Sequence, residues 1–154
     1  MLTELENRGI KIVKINLTIG QGVFNKIKVE DITRHPIHHE YFEVSLEAAE
    51  TINRAIKIGR NVFAVGASVV RALESSVLTS GQVKPNKGWT DKFIYPQYNF
   101  KIANKLLTNF HLPASPQLLL TAAFADRELI LKAYKRAIRD EYRFYAYGDA
   151  MLII

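Results

Sequence analysis

The 154-residue sequence contains no cysteine, which excludes disulfide bonds and catalysis by a thiolate. It has no hydrophobic run long enough to cross a bilayer and no secretory signal, so we expect a cytoplasmic protein without a membrane partner. Internal repeats and low-complexity segments are also absent from the sequence. Acidic residues are the minority among the charges, because 15 Asp and Glu stand against 21 Lys and Arg, for a net charge of +6. That balance favours a polyanionic partner such as nucleic acid.

What the sequence does contain is an alternation of apolar strands with amphipathic helices. Strands are predicted at 10–19, 61–66 and 105–110, and the longest loop is predicted at 77–89. Four of the predicted helices begin at a residue that can cap a helix N-terminus: Ser45, Ser68, Ser115 and Asp126. We therefore predict that residues 1–154 form a single α/β domain. Its sheet should be layered and mixed, mostly parallel, with helices on both faces.

The stretch from Asn109 to Pro116 places several polar groups at a strand-to-helix turn. Asn109 ends the predicted strand, His111 lies in the tight loop, and Ser115 caps a helix with Pro116 at its first position. An amide, an imidazole and free helix N–H groups in so short a span suit a polar or anionic ligand. On spacing alone, the favoured interpretation is an ordinary connection whose polar residues stabilise the turn.

A second polar group is the segment His35-Pro36-Ile37-His38-His39-Glu40. His35, His38 and Glu40 are of the residue types that bind zinc or iron, which keeps a metal hydrolase open as a distant alternative. Pro36 argues against a metal, because it prevents the regular helix that would present both imidazoles on one face. Acid–base chemistry, substrate contact and a plain solvated loop all remain open for these side chains.

Three further features carry candidate residues. Gly20 and Gly22 follow the first predicted strand, where two glycines permit either a close backbone approach to a ligand or a plain turn. Arg71 and Glu74 lie one helical turn apart, near a glycine turn that could bind an anion, and a surface ion pair is an equally good interpretation. Asp149 lies in a predicted sharp turn, either as the turn's own hydrogen-bonding partner or as a ligand group.

The last predicted helix is basic on one side only. Its cations include Lys132, Lys135, Arg136 and Arg139. A charged outer face is usually just solvated, yet a face with one sign of charge is suited to contacts with phosphate.

Several of these segments resemble the S-adenosylmethionine:tRNA ribosyltransferase-isomerase family, which forms epoxyqueuosine in tRNA modification. The turn Thr108-Asn109-Phe110-His111-Leu112-Pro113-x-Ser115 is similar to a signature of that family. His35, His38, Glu40 and Val44 match its pattern His-x-x-His-x-Glu-x-x-x-Val. Similar matches occur at Gly20 and Gly22, at Arg71 and Glu74, and in the ending Tyr147-Gly148-Asp149-Ala150-Met151. The chain departs from the family at five polar positions, which here are Thr18, Val23, Ala67, Val69 and Ala146.

The resemblance implies an enzyme that transfers and isomerises the ribosyl group of S-adenosylmethionine onto a 7-aminomethyl-7-deazaguanine base in tRNA. S-adenosylmethionine is then a substrate, and no metal is implied. By the same resemblance His35, His38 and Glu40 have acid–base roles. Substrate binding is implied for a larger set: Gly20, Gly22, Arg71, Glu74, Asn109, His111 and Asp149.

Members of the resembled family are much longer than this sequence. They have a Pro-Thr-Ala-Gly-Leu-His-Phe segment before the matching region and a separate β-barrel domain. We therefore expect a fragment or truncated homologue of a two-domain enzyme, inactive alone and lacking an N-terminal portion that would be its partner. The alternative is a non-catalytic module that binds a nucleoside or RNA.

Overall fold

The computed structural model describes residues 1–20, 22 and 25–154. Within these residues the chain forms six strands and five α-helices. The strands are β1 (Asn16–Thr18), β2 (Glu40–Val44), β3 (Phe63–Val65), β4 (Asn86–Thr90), β5 (Lys105–Asn109) and β6 (Ala150–Ile153). The helices are α1 (Leu2–Asn7), α2 (Leu46–Lys57), α3 (Ala67–Ser75), α4 (Pro116–Phe124) and α5 (Arg127–Arg139). Val23, one of the departures from the family pattern, lies outside the described residues.

The strands form two separate three-stranded sheets. The first sheet has the order β1-β2-β4, and both of its pairings are antiparallel. The second sheet has the order β3-β5-β6, in which β3 pairs with β5 in parallel and β6 pairs with β5 antiparallel. Each sheet packs against helices through its own cluster of buried side chains.

Helix α3 contributes to the cores of both sheets. Its residues Ala72 and Leu73 pack in the cluster under the first sheet, together with residues of β2 and α2. Its residues Ala67 and Val70 pack in the cluster under the second sheet, with residues of β3, β5 and α4. One short helix is therefore shared by two cores, and any group that fixes its position affects both.

The predicted sheet differs from the observed one in two respects. The prediction of a mostly parallel sheet is wrong, because three of the four strand pairings in the described residues are antiparallel. The prediction of helices on both faces is also wrong for the second sheet. One face packs on helices, while Phe63, Val65 and Leu152 on the other face stay exposed.

Strand boundaries also differ from the prediction. The strand predicted at 10–19 is reduced to β1, and β4 forms inside the segment predicted as a loop. Lysines, a proline and glycines at 81–88 are typical of a turn, but Asn86–Thr90 pairs with the whole of β2. Tertiary pairing thus decides the conformation of this stretch against its local preference.

The helix caps were predicted more accurately. Ser45 accepts a hydrogen bond from the Ala48 amide, Ser115 does the same for Leu118, and Asp126 caps α5. The exception is α3, whose cap position is Gly66 and not Ser68, so this helix has no side-chain cap. None of the described helices has the length and apolar character needed to cross a bilayer.

A tight turn precedes β6 and depends on a close backbone approach. Asp149 accepts hydrogen bonds from the backbone and guanidinium of Arg143, at 2.7 and 2.8 Å. Gly148 lies against the other side of the same turn. A Cβ at this position would overlap the Arg143 carbonyl oxygen and lie 2.7 Å from that of Phe144. Backbone atoms cannot move aside as a flexible side chain can, so the turn requires glycine.

We therefore expect Gly148→Ala to lower the free energy of unfolding by about 1–3 kcal/mol, as strained core or turn substitutions do. The matched control is Gly20→Ala, because a Cβ at Gly20 meets no atom within 4 Å and should change stability by less than about 0.5 kcal/mol. Urea unfolding followed by circular dichroism measures both. Equal midpoints for the two variants would contradict the packing argument.

Candidate active site

A cleft lies where the segment before β2 meets the N-terminal ends of two helices. Its polar lining residues are His35, His38, Ser68, Arg71, Lys92 and Gln117. Gly22, Pro36, Ile37, Ala67, Phe93, Ile94, Pro116 and Leu120 complete the wall. Helix α3 supplies Ala67, Ser68 and Arg71, and α4 supplies Pro116, Gln117 and Leu120. Helix N-termini and cationic side chains together favour an anionic group in this cleft.

Arg71 makes the central interaction of the cleft. Its guanidinium forms an ion pair with the Glu40 carboxylate at 2.6 Å, with side-chain exposures of only 12% and 2%. It also donates to the backbone carbonyl oxygens of Lys92 at 3.1 Å and of His38 and Thr90 at 3.4 Å. Arg71 therefore ties α3 to β2, to the end of β4 and to the segment that carries the histidines.

Burial has opposite effects on the two partners of this pair. It raises the pKa of the Glu40 carboxyl, and the nearby Arg71 charge opposes that rise. It lowers the pKa of Arg71, and Glu40 opposes that fall. The second carboxylate oxygen of Glu40, Oε1, is buried and has no hydrogen-bond partner among the described residues. Glu40 thus has one acceptor position that the described residues do not use.

The two histidines of the predicted acid–base group both line the cleft. The Nε2 atom of His38 lies 2.9 Å from the Asn25 amide nitrogen. Gly22 packs so closely on this imidazole that a Cβ would overlap the ring. The His35 ring lies beside Phe93, with 5.9 Å between ring centroids. The structure thus separates the predicted group by position, because the two histidines line the cleft while Glu40 is buried behind Arg71.

Asn109, His111 and Asp149 do not line this cleft. Asn109 donates to the backbone oxygens of Gly148 and Asp149, at 3.3 and 3.4 Å. Asp149 is itself held by Arg143, and the Arg143 hydrogen bonds lower the pKa of its carboxyl. These side chains stabilise the end of β5 and the turn before β6. The interpretation of Asp149 as the turn's own hydrogen-bonding partner agrees with these contacts.

His111 lies half-buried in the loop between β5 and α4. Its Nε2 atom lies 2.9 Å from the Thr108 hydroxyl, and its backbone amide donates to the Tyr134 hydroxyl at 2.9 Å. Burial lowers the pKa of His111 to about 4. The imidazole is therefore neutral near pH 7, and it cannot supply a positive charge to a ligand there.

Glu74 does not line the cleft, and the interpretation of a surface ion pair between Arg71 and Glu74 is wrong. Its side chain is 1% exposed. The carboxylate accepts hydrogen bonds from the backbone amides of Lys101 and Ile102, each at 3.0 Å, and from the Tyr98 hydroxyl at 3.1 Å. Arg71 pairs with Glu40 instead of Glu74. Glu74 therefore fastens the segment before β5 to α3, and its polar atoms are used inside the protein.

The other predicted positions lie on the surface. Gly20 is exposed just after β1 and does not line the cleft. The basic residues of α5 are also exposed: Lys132, Lys135, Arg136 and Arg139. Arg136 and Arg139 both pair with Asp140, the latter at 3.6 Å. The exposed face stays basic, with part of its charge neutralised locally.

Among the cleft residues that were not predicted as site residues, four have polar or aromatic side chains: Ser68, Lys92, Phe93 and Gln117. Ser68 is the one hydroxyl that remains in the segment where the family has three. Phe93 belongs to a matching segment, and Lys92 precedes it. Gln117 directly follows the proline of the α4 cap. Each lies beside a recognised motif, but only the folded chain shows that these motifs face one another.

The fold and this cleft define a mixed α/β protein with a cationic site at two helix N-termini. The family model described as queuosine biosynthesis protein matches residues 1–153, and the chain belongs to that family.

Proteins of the same family are named S-adenosylmethionine:tRNA ribosyltransferase-isomerase. The one from Desulforamulus reducens is 52% identical over 154 residues, and the match covers 100% of this chain and 45% of the relative. The one from Carboxydothermus hydrogenoformans is 51% identical with the same coverage. A crystal structure of S-adenosylmethionine tRNA ribosyltransferase from Thermotoga maritima matches with a TM-score of 0.79 and 33% identity, over 99% of this chain and 48% of that chain. The chain thus spans less than half the length of these proteins.

The buried Arg71–Glu40 pair gives a stability prediction. Glu40→Gln leaves the guanidinium buried without its counter-charge, so we expect the free energy of unfolding to fall by about 3–5 kcal/mol. The matched control is Glu4→Gln, which removes the exposed ion pair with Arg8 at 2.9 Å and should cost less than about 1 kcal/mol. Chemical denaturation compares the two. A Glu40→Gln effect as small as the control would contradict a central role for the pair.

The lowered pKa of His111 gives a pH prediction. Its folded-state pKa of about 4 lies below the ordinary value of 6.5, so the unfolded chain binds this proton first as the pH falls. The stability that neutral His111 contributes is present above pH 6.5 and lost toward pH 4, by up to about 3 kcal/mol. Urea unfolding across this range should show a shallower pH dependence in His111→Gln than in the parent chain. The control substitution is His39→Gln at an exposed histidine, and a pH dependence as steep in His111→Gln as in the parent chain would contradict the prediction.

Proposed function

We propose that this chain supplies part of the active site of an S-adenosylmethionine:tRNA ribosyltransferase-isomerase, the activity for which its relatives are named. The observation that carries the proposal is the cleft itself. Two histidines, an arginine and a lysine line it beside the N-termini of α3 and α4. Such a cleft offers both proton-transferring groups and positive potential to a charged substrate.

The proposed reaction transfers the ribosyl group of S-adenosylmethionine to a 7-aminomethyl-7-deazaguanine base of tRNA and isomerises it, with release of adenine and methionine. Protons must move at the ribose, and charge develops on the leaving groups. His35 and His38 are the proposed acid–base residues, and their position in the cleft supports this role. Arg71 and Gly22 are the proposed substrate contacts, with Lys92 added from the structure.

Glu40 acts through Arg71 in this proposal. Its carboxylate is buried behind the guanidinium and does not line the cleft. We assign it the role of a positioning residue, since it fixes the guanidinium that also holds the backbone of His38. Asn109, His111 and Asp149 are assigned a supporting role, because their contacts stabilise the loops that follow β5 and precede β6.

The proposal requires no metal ion at His35, His38 and Glu40. Glu40 already holds a buried cation at 2.6 Å, and a second positive charge on the same carboxylate would be repelled by Arg71. The metal-hydrolase alternative therefore has less support than ribosyl transfer.

We further propose that tRNA contacts the basic face of α5. Lys132 and Lys135 are exposed and lie on the same helix as the partly neutralised Arg136 and Arg139. Contacts of this kind are made to phosphates, and they do not require a completed active site. RNA binding can therefore persist in a chain that spans less than half of its relatives. Such binding without catalysis corresponds to the alternative of a non-catalytic module that binds RNA, and it can be tested directly.

The test is to incubate the chain with S-adenosylmethionine and tRNA that carries the 7-aminomethyl-7-deazaguanine base. We expect tRNA binding without measurable adenine release from the 154-residue chain alone. Replacing Lys132 and Lys135 by Gln should weaken tRNA binding. It should also make the slope of log binding constant against log salt concentration shallower by about 0.7–0.9 per lost phosphate contact. The control replaces the exposed Lys11 and Lys14 by Gln.

Two results would contradict the proposal. Equal weakening by both pairs of substitutions would show that binding follows net charge and not the α5 face. Stoichiometric zinc or iron in the purified chain, measured by elemental analysis, would favour the metal-hydrolase alternative. Rapid adenine release would support the reaction and refute the expectation that this chain is inactive alone.

A further inference from the structure

The second sheet has an apolar face that nothing in the described part of the chain covers. We name it the open face and define it by Phe63, Val65, Leu107 and Leu152. Val65 of β3 is paired with Leu107 of β5, which is paired with Leu152 of β6, so these three side chains form a row across the sheet. Phe63, Val65 and Leu152 are 53%, 65% and 53% exposed. The exposed side chains are therefore neighbours, not scattered surface residues.

The opposite face of the same sheet shows the contrast. Ala64 and Leu106 are fully buried there, in a cluster that includes Val70 of α3 and Leu120 of α4. Parallel strand pairs such as β3 and β5 are normally covered on both faces. A contiguous apolar patch on a folded chain is typical of an interaction surface. The second sheet is thus covered by helices on one face only.

The share of the relatives' length that lies outside the match points to the occupant. The match covers 45% of the Desulforamulus reducens relative and 48% of the solved Thermotoga maritima structure. More than half of the family's chain therefore lies outside the matched region. We infer that the open face is the docking surface for that remaining portion of the family fold, through an apolar surface of its own.

This inference depends on family membership and not on the proposed reaction, so it is tested by accessibility and not by activity. The chain has no cysteine, which makes an introduced thiol a unique probe in these residues. Val65→Cys reports on the open face. Ile138→Cys on α5 is the matched control, because both side chains are 65% exposed.

The experiment compares the 154-residue chain with a chimera that joins it to the portion of the Desulforamulus reducens relative outside the match. Alkylation of each thiol is followed by mass spectrometry of its own peptide. We expect alkylation at position 65 to slow at least tenfold in the chimera, and alkylation at position 138 to stay within twofold. Similar rates at position 65 in the two proteins would overturn the inference.

A second measurement tests the same inference through the stability of the two proteins and needs no chemical probe. Val65→Lys and Leu152→Lys should lower the unfolding midpoint of the chimera and leave that of the 154-residue chain unchanged, while Ile138→Lys should affect neither. Equal sensitivity of the two proteins would overturn the inference. So would concentration-dependent protection of position 65 in the 154-residue chain, together with dimers by light scattering, because the occupant would then be a second copy.

Discussion

The Arg71–Glu40 ion pair is the constraint on which the candidate site depends. It joins residues 31 positions apart in the sequence, and the same guanidinium holds the backbone of β4 and of the histidine segment. A buried pair of this kind adds little stability over an apolar pair of similar shape. Its effect is on geometry, because a guanidinium has a fixed planar arrangement of donors. The orientation of α3, and therefore of the cleft wall, follows from satisfying those donors.

Glu74 has the complementary role one turn further along α3. Where Arg71 anchors the helix to the first sheet, Glu74 anchors it to the backbone just before β5 of the second sheet. Two buried charged groups on one helix thus bind the loops of both sheets. The apolar contacts of α3 supply burial, while these polar contacts define which loop lies where. The polar contacts of α3 therefore fix the position of the cleft wall, although few helices and strands surround the cleft.

Local features were predictable from the sequence, and distant pairings were not. The caps at Ser45, Ser115 and Asp126 involve residues two or three positions apart, so the residue types alone indicate them. The same reasoning failed for Glu40 and Glu74, since their partners lie far along the chain and each was grouped with its nearest polar neighbours. Strand β4 was missed for a related reason, because its conformation depends on β2 and not on its own residues. The family pattern identified most cleft segments, yet it could not separate lining residues from supporting ones.

The order of the strands along the chain has a consequence for how the two sheets form. β3 belongs to the second sheet but lies between β2 and β4, which belong to the first. The chain therefore crosses from one sheet to the other and back before the first is complete. Among the described strands, no continuous piece of the chain contains all strands of one sheet without a strand of the other. The sheets are interleaved in sequence, so they cannot be separated by a single cut or inherited as independent units.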